Sequence, residues 1–159
     1  MRAWVLGIGI GLIAGLASLS AAQARPSFNP KSISFTAKGQ VSFRIETSNN
    51  SCTAHFVGNT DAAGFGQITG ATFTGSDFCT AVTSATLPWA MNAETRRRAT
   101  LHDVDLSTPL GFCGPANVTV YVSVTGRFTF DFLTSFSGGG SCLIQGYVKT
   151  TPVVTIVKP

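Results

Sequence analysis

The residues best equipped for chemistry stand together at His102-Asp103-Val104-Asp105. Alternate residues of a strand share a face, so Asp103 and Asp105 could offer two carboxylates to one cation, with His102 beside them. A catalytic or metal site needs such groups to converge from more than one segment. The other acids, Glu46, Asp61, Asp77, Glu94 and Asp131, are scattered singly, and His55 is the only other histidine. A hydrolase would need a serine beside one of these histidines, and no G-x-S-x-G turn occurs. The cluster therefore reads as a solvated strand face at a bulge. No catalytic residue, metal site or cofactor is expected, and the chain reads as a non-enzyme.

Two further features could bind rather than react. Arg96-Arg97-Arg98 could meet an anionic surface, although a strand would split the three between its faces. Trp89, after Pro88, could be a flat platform for a ligand such as a sugar, or could cap a core. Trp89, Arg96, Arg97 and Arg98 are the candidate ligand surface.

The four cysteines, Cys52, Cys79, Cys113 and Cys142, are an even set with three possible pairings. No C-x-x-C spacing is present, against a redox dithiol or a zinc knuckle. We expect the sequential pairing, Cys52 with Cys79 and Cys113 with Cys142, each closing a local excursion of the chain. Disulfides imply an oxidising destination, and the first residues supply an address to one. Arg2 precedes an apolar run from Trp4 to Ala17, and Ala22-Gln23-Ala24 fits a signal-peptidase site. Residues 1–24 are read as a cleaved signal peptide and 25–159 as one domain. No later run is long enough to span a membrane as a helix. Secretion, to the periplasm, the outer surface or the medium, is expected. With Arg2 removed, ten Lys and Arg face seven acids, too mild a balance to suggest nucleic acid.

The elements that must hold these residues are strands. Ile33, Phe35 and Ala37 alternate with polar residues, as do Val41, Phe43 and Ile45, so Gly39-Gln40 reads as a hairpin turn. Gly70 marks a bulge or a close approach, and a slip of phase predicts another bulge near His102–Asp103. Pro109 to Pro115 reads as a breaker-rich turn. Val118, Val120, Val122 and Val124 then face Phe128, Phe130 and Phe132 across a turn at Gly126. About nine strands at short spacing predict an all-β fold, an antiparallel β-sandwich stapled by disulfides.

One resemblance covers most of the chain after residue 24. Cys52-Thr53-Ala54-His55-Phe56, Ile68-Thr69-Gly70-Ala71-Thr72-Phe73-Thr74-Gly75, Cys79, Leu87-Pro88-Trp89 and Pro109-Leu110-Gly111-Phe112-Cys113-Gly114-Pro115 together resemble the bacterial secreted family called protein activator of alkane oxidation, PraB-like. The resemblance implies an exported accessory protein associated with growth on hydrocarbons, and it brings no catalytic residues. Its partner would be a hydrophobic substrate or a cell-surface component. Two other functions fit the residues. The extended, Pro-bounded segment Arg25–Lys31 could be the donor arm of a surface-fibre or adhesin-like subunit. A carbohydrate-binding module would instead show an exposed aromatic row.

Overall fold

The computed structural model describes residues 25–158; the expected signal segment 1–24 lies outside the described residues. Two short strands frame the chain, β1 (Ser27–Asn29) and β11 (Thr155–Val157), and they pair with each other. Between them run β2 (Ile33–Ile45), β3 (Ser48–Thr60), β4 (Gly66–Thr74), the one-turn helix α1 (Asp77–Thr80), β5 (Thr83–Ser84) and β6 (Trp89–Thr95). Then follow β7 (Arg98–Thr108), β8 (Gly111–Val122), β9 (Arg127–Ser135) and β10 (Ser141–Thr151). The order β7-β6-β4-β3-β2-β10-β9-β8 closes when β8 pairs back onto β7. The all-β expectation holds, but the architecture is an eight-stranded antiparallel barrel and not a sandwich.

Two glycines account for much of that difference. β2 runs unbroken through Gly39, where a hairpin turn was expected. A Cβ on Gly39 would fall on the Tyr147 carbonyl, and one on Gly146 would fall on the Gln40 carbonyl. The two positions sit diagonally across the β2–β10 ladder, Gly39 opposite Val148 and Gly146 opposite Val41. Without side chains there, the two strands can coil closely, as a closing barrel requires. The chain turns later, at Glu46-Thr47, with Glu46 at a φ of 53° and Ile45 opposite Ser48.

Proline is absorbed in a similar way. Only Pro109 and Leu110 turn; β8 begins at Gly111 and carries Pro115 inside it. The register jumps there, with Val104 opposite Ala116 and Leu106 opposite Cys113. A bulge is where a strand tolerates a residue that cannot donate. The bulge expected near His102–Asp103 is present, as a register shift between Leu101 and Val104 with Asp103 at a φ of 53°. Gly70 likewise lies beside the register shift opposite Val57 and Gly58.

The inner faces fill the barrel. Val120 lies opposite Phe130 and Val122 opposite Phe128, all four buried with Val118. Phe132 is half-buried against them. Val124 is not part of this set: β8 ends at Val122, and Val124 stands in the following turn, 79% exposed.

Both ends are closed, by different means. At one end Cys52 on β3 is bonded to Cys79 of α1, and Cys113 on β8 to Cys142 on β10. Ser76 caps α1, its Oγ accepting from the Cys79 amide at 3.4 Å. At the other end the β1–β11 pair lies over the barrel, with Phe28 and Val154 fully buried. The segment Arg25–Lys31 is therefore not a free donor arm. Its strand β1 is already paired within the chain, and Phe28, whose ring lies 6.4 Å from that of Phe128, anchors it in the core.

Candidate functional site

A closed barrel suggests an internal ligand site, and here the interior argues against one. Two apolar cavities among the described residues measure about 40 and 30 Å³ and lie among residues such as Phe56, Trp89, Leu101 and Phe130. A dry cavity of about 150 Å³ is the size that takes up benzene. The barrel is packed as a core, as eight strands permit.

Trp89 belongs to that core and leaves the candidate ligand surface. It opens β6 opposite Ile68 with its side chain inward and is only 2% exposed. Its ring meets Phe56 edge-on at 6.4 Å, and its Nε1–H donates to Thr86 Oγ1 at 3.1 Å. Thr86 in turn donates to the Asp103 carbonyl at 2.6 Å. Pro88 immediately precedes the strand, so its missing donor falls before the first ladder pair.

His102, Asp103 and Asp105 are not drawn to one point. The His102 ring Nε2 is 3.2 Å from the Asn92 amide nitrogen, while the Asp103 amide donates to Asn117 Oδ1 at 3.2 Å. Asp105 Oδ1 is buried without a hydrogen-bond partner among the described residues. His55 stands exposed on β3.

The arginine run forms the tip of the β6–β7 hairpin, and all three residues are exposed. Arg98 is committed to its own hairpin: its Nε lies 2.8 Å from Glu94 Oε2. The Thr100 hydroxyl also donates to Glu94. That hydrogen bond, followed by the Arg98 contacts, outweighs desolvation and holds the Glu94 carboxyl below its ordinary pKa. Arg97 faces elsewhere, into a surface groove of about 360 Å³ with Tyr121, Val124, Arg127 and Thr129. Tyr121 is 58% exposed. The Arg127 guanidinium lies over the Tyr147 ring, 3.9 Å from its centroid, an attractive cation–π placement.

This groove is one of two surface grooves of about 360 Å³ among the described residues, the other lying beside Lys31 and Phe65. The Arg97 groove offers apolar side chains beside cations, suited to an amphipathic or apolar surface with anionic groups. Of the candidate residues from the sequence, only Arg97 lines it. Tyr121, Val124 and Arg127 lie along one hairpin, and Val124 is missed because the valine alternation points it inward; Tyr147 joins from β10 only through its contact with Arg127. The profile of a family described as alkane oxidation protein activator, PraA/PraB-like, matches residues 3–158. No curated protein and no solved structure matches the chain.

Proposed function

Because the chain belongs to the alkane oxidation protein activator PraA/PraB-like family, we propose that it is an exported, non-enzymatic accessory protein that promotes alkane oxidation through its outer surface. Residues 1–24 serve as the signal peptide, and residues 25–159 act in the periplasm, at the outer surface or in the medium. The two disulfides support such a destination. Among the described residues no helix is long and apolar enough to cross a membrane.

The observation that carries the surface-acting reading is the contrast between inside and outside. The interior apolar cavities measure only about 40 and 30 Å³, while Tyr121 and Val124 are exposed in a groove beside Arg97 and Arg127. Apolar contacts flanked by cations suit a hydrocarbon–water boundary carrying anionic groups.

The test is deletion of the gene, scored for growth on a liquid alkane and on a soluble carbon source. Growth should slow on the alkane alone. The wild-type gene should restore it, and a Tyr121→Ser, Val124→Ser variant of unchanged melting temperature should restore it poorly. Equal slowing on both carbon sources, or full rescue by the variant, would contradict the proposal.

A further inference from the structure

The barrel wall carries a row of three basic side chains ending at a histidine that no linear motif reveals. Across four adjacent strands, Arg127 on β9 stands opposite Lys149 on β10, Lys149 opposite Lys38 on β2, and Lys38 opposite His55 on β3. All four side chains are exposed on the outer face. Like charges directly opposite each other on neighbouring strands destabilise a sheet. Here three of the chain's 11 Lys and Arg are placed that way, and among the described residues none of the three forms an ion pair. The neighbouring row, Thr129, Tyr147, Gln40 and Thr53, contains no carboxylate. On the other side of Thr129 stands Tyr121. Arg127 leans onto the Tyr147 ring, but Lys38 and Lys149 face each other with no ion-pair partner among the described residues, and a rule broken so marks a surface made for a partner.

We infer that this row binds a linear acidic polysaccharide. Its basic residues sit on neighbouring strands about 5 Å apart at the backbone, a step comparable with one sugar residue of a polyuronate. Tyr121, 58% exposed, offers a ring for the C–H face of a sugar, while Tyr147 carries the Arg127 guanidinium on its ring. Thr129, Thr53 and Gln40, whose amide donates to Thr53 at 3.0 Å, suit sugar hydroxyls.

Curvature selects among polyanions. The row crosses three of the eight strand intervals of the closed barrel, about 135° of the wall. A flat anionic membrane cannot touch both ends of it. Duplex DNA, stiff over about 150 base pairs, cannot bend around it. A flexible polysaccharide chain can.

The experiment titrates the disulfide-bonded protein with polygalacturonate at low ionic strength, with dextran, phosphatidylglycerol vesicles and duplex DNA as parallel probes. Wild-type protein should bind polygalacturonate, lose affinity as salt rises, and ignore dextran. The Lys38→Gln, Lys149→Gln, Arg127→Gln variant should lose at least about tenfold in affinity, the scale of one lost charge-assisted contact, with an unchanged or slightly raised melting temperature. A Lys31→Gln, Arg44→Gln, Arg96→Gln variant removes the same charge from exposed positions outside the row and outside the Arg97 groove, and should bind like wild type. The single variants Lys38→Gln and Lys149→Gln, each expected to weaken binding, decide the matter if the triple variant does not fold. No binding to polygalacturonate, equal losses in both triple variants, or tighter binding to vesicles or DNA would overturn the inference.

Discussion

Val120 and Phe130 stand directly opposite each other on β8 and β9, both turned into the barrel and both less than one-tenth exposed. The pair sits where two strict alternations meet, one of valines and one of phenylalanines. Phe130→Ala should therefore destabilise the protein by about 3–5 kcal/mol, through lost burial and the cavity left behind. Chemical denaturation measures it. A loss under about 1 kcal/mol, well below that range, would mean that Phe130 is not a core residue.

Gly39 and Gly146 test closure of the barrel. Either glycine replaced by alanine drives a methyl group into a backbone carbonyl of the facing strand, so each should cost about 1–3 kcal/mol or more. Gly70→Ala is the control: its new Cβ would sit 3.4 Å from the Val57 Cβ, ordinary contact distance. Equal melting temperatures for Gly39→Ala and Gly70→Ala would argue against close approach of β2 and β10.

These glycines also explain what the sequence conceals. Alternation alone identifies which side chains point inward, and Phe35, Phe43, Val118 and Phe128 are indeed buried. It does not say whether an interior glycine turns a strand or lets it coil, since freedom from a Cβ serves both. Reading Gly39 as a turn makes two short strands from one long one and suggests two sheets. Trp89 is ambiguous for a related reason, because Pro88 can exclude a strand or precede one. Site residues are harder still. Arg127, Lys149, Lys38 and His55 are spread over more than ninety positions of the chain and become neighbours only through the registers of three ladders. Arg96-Arg97-Arg98 is conspicuous in the sequence, yet Arg98 is paired with Glu94 at its own hairpin.

Both disulfides should matter for stability, since each closes a loop spanning nearly thirty residues. Removing Cys113–Cys142 by a Cys113→Ala, Cys142→Ala change should cost about 2–5 kcal/mol. Calorimetry of the double variant checks this. An unchanged melting temperature would show that the bond does not restrain the unfolded chain.

Glu94 provides a pH marker on the arginine hairpin. Its lowered pKa, due first to the Thr100 hydroxyl and then to Arg98, means that its contribution is present above the carboxylate's unfolded pKa. That contribution is lost as pH falls through the lower folded value. The group is exposed, so the effect on global stability is small. Thr100→Val should raise the Glu94 titration midpoint, followed by side-chain NMR. A midpoint that stays in place would show that the Thr100 hydrogen bond does not form in solution.

The central claim is that the protein promotes alkane oxidation from outside the cell's cytoplasmic membrane and without catalysis of its own. It is tested most directly by adding purified, disulfide-bonded protein lacking residues 1–24 to a deletion culture growing on a liquid alkane. Added protein should restore the growth rate in a dose-dependent way, and the same protein alone with the alkane should yield no oxidised product. Failure of the added protein, with rescue only when the chain without residues 1–24 is made inside the cell, would contradict the account.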